Sequence, residues 1–261
     1  MRLGEKFREL RERGEKALIT YYTGGFPTLA ESMDNLLLCQ NSGADIVEVG
    51  IPFSDPVADG PVIQHTSHTA LANGANPVDI IKAVGETDFS IPLVVMTYLN
   101  PVLAVGYEHF VRLCSDSGVS GLIIPDISFE DADIVQQLCG EAGIDLIYMV
   151  APNTPAERMK KIAFRSSGFI YCVASYGTTG AKKELSSSFR DIHKRLSCLT
   201  DTPIAAGFGV SSTGHVRTVS ECCDGVIIGS RILTAFINTE NAAPLIEEFK
   251  KSTRIMERNA T

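Results

Sequence analysis

The chain has 261 residues, is 44% hydrophobic and 21% charged, lacks tryptophan and carries a formal net charge of -8, a composition that describes a globular protein with room for a sizeable core. The acidic balance argues against nucleic acid or an anionic membrane surface as partner, because no basic stripe offsets it: Lys82 stands alone and Lys182-Lys183 is only a pair. None of the seven cysteines falls in a Cys-x-x-Cys spacing and most sit beside apolar residues in helical patterns, so reduced, buried thiols are expected.

Residues 1–10 read as a charged amphipathic helix without the apolar segment of a signal peptide, and nowhere do eighteen apolar residues run together. A cytoplasmic protein is therefore expected. From residue 17 onward one unit repeats: a short apolar run, a loop rich in Gly, Pro, Ser or Asp, then an amphipathic helix. Strands are predicted over 17–22, 45–50, 93–98, 121–125, 145–150, 169–174, 203–208 and 225–229, and helices over 29–40, 108–115, 131–142, 155–165, 189–198, 214–222 and 243–250. Near-continuous apolar strands alternating with helices imply a parallel sheet covered by helices. Eight such units in about 250 residues match a single (β/α)8 TIM barrel better than an open doubly wound sheet. The extra N-terminal helix would cap its floor, and with no linker or shift in composition the whole span 1–261 reads as one domain.

The second strand carries the first chemical signal. Its alternation puts Val47 and Val49 on one face and Ile46, Glu48 and Gly50 on the other, so Glu48 stands where an apolar side chain is usual. Burial would raise its pKa and let it shuttle a proton near neutral pH. Asp59 follows on a loop stiffened by Pro52, Pro56, Gly60 and Pro61, which cannot continue a strand or a helix and can fold back over the strand end. A buried Glu also suits a structural ion pair and a Pro-flanked Asp an ordinary turn.

Barrel enzymes place their chemistry at the carboxyl ends of the strands. Those ends offer Glu48 and Asp59, Tyr98 and Asn100, Asp126, Tyr171, the run from Ser175 to Gly180, Gly207-Phe208-Gly209, and Gly229-Ser230. With no lysine among them a Schiff base lacks its nucleophile, and with no histidine cluster a zinc site lacks its ligands; His65 and His68 read as polar rim residues, so no metal is assigned. Gly207-Phe208-Gly209 and Gly229-Ser230 close the last two strands, where barrels commonly hold a phosphate on backbone N–H groups. The small, polar, glycine-hinged loop 175–183 suits a lid, and equally a disordered loop.

The run from Glu48 to Gln64, then Met96-Thr97-Tyr98-Leu99-Asn100-Pro101, Gly177-Thr178-Thr179-Gly180, Gly207-Phe208-Gly209-Val210 and Gly229-Ser230 resemble, in order and over essentially the whole chain, the tryptophan synthase alpha subunit family. The resemblance implies a TIM barrel that cleaves indole-3-glycerol phosphate to indole and glyceraldehyde 3-phosphate. A PLP-containing beta subunit in an alpha2beta2 heterotetramer would take the indole, and no cofactor would sit in this chain. It puts the general acid/base on Glu48 and the second catalytic carboxylate on Asp59. Phosphate contacts fall on Gly180, Gly207, Phe208, Gly209, Gly229 and Ser230, Thr179 counts among the substrate-binding residues, and Tyr98 and Tyr171 fall beside the indole pocket, where apolar Phe26 would help them sandwich the ring. Beta-subunit contacts fall on Pro52, Asp55, Pro56, Asn100 and Asp126. Three places depart from the family pattern: Phe26 after the first strand, Ala174-Ser175-Tyr176 in the lid, and Ser128 in place of a proline. These leave a second role open, a ligand-binding subunit that regulates the beta partner with little catalysis of its own.

Overall fold

A computed structural model describes residues 1–173, 181–207 and 209–254, with the side chains of 181–188 left aside. Nine parallel strand segments in these residues form one sheet: β1 Ala17–Thr23, β2 Ile46–Gly50, β3 Leu93–Met96, β4 Gly121–Ile123, β5 Asp145–Ile147, β6 Met149–Val150, β7 Ile170–Val173, β8 Ile204–Gly207 and β9 Gly225–Ile228. The sheet runs β5-β4-β3-β2-β1-β9-β8-β7-β6. Its two ends, β5 and β6, are separated only by Tyr148, whose carbonyl accepts from Tyr171 N–H at 2.9 Å. They are thus one barrel strand with a one-residue break, and the sheet closes into eight.

The helices are α1 Leu3–Glu12, α2 Leu29–Asn41, α3 Pro61–Ala72, α4 Pro77–Glu86, α5 Leu99–Val105, α6 Tyr107–Asp116, α7 Asp133–Ala142, α8 Ala156–Arg165, α9 Ala181–Leu196, α10 Thr213–Ser220, α11 Ser230–Ile237 and α12 Ala242–Ser252. Four of them, α3, α4, α5 and α11, were not predicted. Pro61, read as part of a chain-breaking loop, is instead the first residue of α3, with Gly60 as its N-cap. A proline there loses no intrahelical hydrogen bond and has its φ already set.

Strand alternation divides the apolar residues into two bodies. Outward residues such as Leu18, Val47, Val49, Val95 and Leu122 pack under the helices in the main core. Inward residues Ala17, Ile19, Ile46, Val94, Ile123, Ile147, Phe169, Ala205 and Ile227 form a second cluster with Leu3, Phe7 and Leu10 of α1. The Phe7 and Phe169 rings lie 5.8 Å apart. The predicted helical cap on the barrel floor is therefore present, and it seals the lower end of the interior.

Candidate active site

Above that floor lies a cavity of about 330 Å³, lined by inward side chains of the strands, by the loop 58–60 and by the start of α11. Register places Tyr21 of β1 opposite Glu48 of β2, and Glu48 opposite Val94 of β3. Glu48 is 2% exposed, and its Oε2 has no hydrogen-bond partner among the described residues. A buried polar atom left unpaired is costly, so this oxygen is set for a group arriving in the cavity. Burial first, and the charge of Asp59 second, push the Glu48 carboxyl up to about 8.

Asp59 lines the same cavity. Its Oδ2 accepts from the Tyr98 hydroxyl at 3.0 Å, and that hydroxyl in turn accepts from Ala58 N–H at 3.0 Å. Tyr98 thus fastens both the side chain and the backbone of the loop. Burial raises the Asp59 carboxyl to about 6, against the pull of the Tyr98 hydrogen bond. The two carboxyls are held apart in acidity, so near neutral pH Glu48 is mostly protonated and Asp59 mostly ionised.

The floor of the cavity is apolar, built from Met96, Ile123, Met149 and Ile227, with Tyr21 and Tyr171 as aromatic walls. At the other end Gly209, Val210, Ser211, Gly229 and Ser230 line the opening, and Gly229 is the N-cap of α11. The N–H groups of a helix start, with its positive dipole end, favour an anion there.

Several expected site residues stand elsewhere. Phe26 does not line the cavity: its buried ring faces Tyr22, with centroids 6.4 Å apart, and its carbonyl accepts from the Tyr22 hydroxyl at 3.0 Å. The reason is strand phase, since Tyr22 points outward and the turn through Gly25 carries Phe26 to the same side. Tyr98 is not a wall of the ring pocket either, because its buried side chain packs on Phe53 and spends its hydroxyl on Asp59. Gly207 ends β8 beside Tyr171, where an added Cβ would come 2.5 Å from the phenol oxygen, so it makes room for Tyr171 rather than lining the cavity. Thr179, Gly180, Phe208 and the lid residues Ala174-Ser175-Tyr176 lie outside the described residues. Tyr21, Met96, Met149, Thr234 and Arg231 line the cavity without having been predicted. Tyr21 was within reach of the sequence, being in phase with Ala17 and Ile19 along β1.

Among the expected partner contacts, Asp55, Asn100 and Asp126 are exposed, Pro56 is partly so, and Pro52 is buried. Asp126 accepts from Leu99 N–H at 2.8 Å and so also holds the first residue of α5. Among the described residues no three His, Cys, Asp or Glu side chains converge as metal ligands, and no helix is long and apolar enough to cross a membrane.

A closed parallel barrel with an acid and an ionised carboxylate facing one apolar cavity, and a helix start at its rim, defines an acid–base enzyme of the (β/α)8 class. The family model for the tryptophan synthase alpha chain matches residues 7–261. The chain is 44% identical to the tryptophan synthase alpha chain of Methanocaldococcus jannaschii over 89% of its own length and 84% of that protein. With the alpha chain of Carboxydothermus hydrogenoformans it shares 42% over 91% and 90%. Its structure is similar to a chain of Mycobacterium tuberculosis tryptophan synthase, with a TM-score of 0.91 and 33% identity over 98% and 99% of the two chains. For the alpha chain from Legionella pneumophila the TM-score is 0.88, at 28% identity over 98% of each. The chain belongs to the tryptophan synthase alpha chain family. It is thus a carbon–carbon lyase subunit, of the kind that cleaves indole-3-glycerol phosphate.

Proposed function

We propose that Glu48 and Asp59 perform the cleavage of indole-3-glycerol phosphate to indole and glyceraldehyde 3-phosphate. Protonated Glu48 delivers a proton to indole C3, which turns the ring into a cationic electron sink. Ionised Asp59 accepts the indole N–H and stabilises the positive charge that develops there. Loss of the proton from the hydroxyl beside the scissile bond, taken up by the now ionised Glu48, forms the aldehyde carbonyl. The electrons of the broken carbon–carbon bond return to the ring and leave indole. One proton enters at carbon and one leaves from oxygen, so this chain's own residues suffice and no cofactor enters the scheme.

The ring fits the apolar floor of Met96, Ile123, Met149 and Ile227, and the phosphate fits the rim at Gly209, Gly229 and Ser230. The observation that carries the reading is the buried Oε2 of Glu48, unpaired among the described residues and facing the same cavity as Asp59. Glu48→Gln is expected to keep the fold and substrate binding and to lower turnover by at least ~10²-fold, the lower end for a lost acid/base group. Turnover within a few-fold of the parent would reject the assignment. A PLP-dependent beta subunit, docked on Asp55, Pro56, Asn100 and Asp126 in an alpha2beta2 assembly in the cytoplasm, is the partner this reading requires.

A further inference from the structure

Arg231 is the one basic residue among the described residues that line the cavity. The carboxylic acids there are Glu48 and Asp59, and a phosphorylated substrate brings up to two more negative charges. Like charges in a partly desolvated space repel, so an incoming dianion needs a cation close by. Arg231 is the second residue of α11, directly after Ser230 and within the first turn, where backbone N–H groups already favour an anion.

Its present partner holds it loosely. Both Nη1 and Nη2 of Arg231 lie 3.4 Å from Glu240 Oε2. The guanidinium–carboxylate pairs Arg158–Glu130, Arg165–Asp133 and Arg190–Glu221 close to 2.7, 2.8 and 2.8 Å, whereas Arg254–Glu15 stands at 3.2 Å and Arg11–Asp224 at 3.9 Å. A charge-assisted pair normally sits at about 2.7–2.9 Å. Glu240, three residues past the end of α11, therefore engages the guanidinium without saturating its planar fork.

We propose that Arg231 is a phosphate clamp, a specificity-determining side chain that leaves Glu240 and closes its fork on the phosphate oxygens of the substrate at the start of α11. The assignment rests on the placement of the phosphate given above and adds to it a side-chain cation that discriminates phosphorylated from unphosphorylated ligands. Arginine suits the task because its planar donors match a phosphate in two places at once, which a lysine cannot do.

The test compares Arg231→Met, Arg231→Lys, Glu240→Gln and Gly229→Asp. Calorimetric binding of glycerol 3-phosphate and of indole is measured alongside steady-state cleavage of indole-3-glycerol phosphate. Arg231→Met is expected to weaken glycerol 3-phosphate and raise KM about 10-fold or more, the range for a lost charged hydrogen bond. Indole binding should be unchanged and kcat within a few-fold. Arg231→Lys should recover part of the loss, and Glu240→Gln should leave phosphate affinity unchanged or tighter. If Arg231→Met binds glycerol 3-phosphate like the parent while Gly229→Asp does not bind it, the phosphate site stands and the clamp falls. If Gly229→Asp also binds it normally, the phosphate placement itself is wrong. Equal losses in Arg231→Met and Glu240→Gln would make the pair a structural tie and overturn the proposal.

Discussion

Glu48 and Asp59 differ in acidity because of what surrounds each, and the pH behaviour of the chain follows from that. Cleavage as drawn needs Asp59 ionised and Glu48 protonated, so kcat/KM should be bell-shaped, rising through about 6 and falling through about 8. Both carboxyls are raised above their unfolded values, so the folded chain holds more protons than the unfolded one between those limits. Their contribution to stability is therefore present at low pH and is lost as pH rises towards about 8. Glu48→Gln should accordingly gain in Tm relative to the parent between pH 5 and pH 9, and a difference that stays flat across that range would contradict a buried, neutral Glu48. Tyr98→Phe removes the hydroxyl donated to Asp59, which favours the charged carboxylate. The rising limb of the bell should move to higher pH, with a few-fold loss of turnover near neutrality, the scale of one hydrogen bond of about 1 kcal/mol. An unchanged limb in pH–rate profiles would mean that Tyr98 only packs.

At the scale of elements, α12 shows how a surface helix is tied to the barrel by charge. Lys250 Nζ lies 2.8 Å from Asp45 Oδ2 and 2.8 Å from Glu15 Oε2, and Asp45 Oδ2 also accepts from Leu18 N–H at 2.7 Å. Burial raises the Asp45 carboxyl and Lys250 pulls it back down. Lys250→Met should cost about 3 kcal/mol or more in denaturant unfolding at neutral pH, since it leaves a buried carboxylate without its cation. Adding Asp45→Asn should return much of that loss, and simple additivity of the two would argue against the pairing. The same scale explains what the sequence could reveal. Glu48 was legible because a carboxylate interrupts the inward phase of an apolar strand. Helix α3 was not, because its buried residues include Thr66, Ser67 and Ala70, which leave no apolar stripe to read. The direction of Phe26 depended on a turn, and the role of Tyr98 on a loop folding back across 39 residues of chain separation. Neither is encoded in local periodicity.

For the whole molecule, one loop joins the barrel interior to its outer face. Asp55 is exposed, with Ser54 Oγ donating to it at 2.6 Å, and four residues later Asp59 faces the cavity. On the proposed docking at Asp55 a beta subunit would fix Asp59 in place, and the coupling would run equally in both directions. The isolated chain should be slow and a matching beta subunit should speed indole release about 5-fold or more. Asp55→Ala should remove most of that gain and leave basal turnover nearly intact. Loss of both together in paired assays would show that Asp55 supports the fold of the loop rather than its docking.

The sealed floor leaves the cavity, among the described residues, to open towards the carboxyl ends of the strands. Ile123 and Ile227 form the bottom of the cavity and also belong to the cluster plugged by Leu3 and Phe7 of α1. On the proposed placement the ring goes in first and the phosphate last, so after cleavage the phosphorylated fragment stands at the rim with the indole behind it. Departure is then a queue in which the last to enter leaves first, and a partner seated on the rim governs how quickly that queue clears.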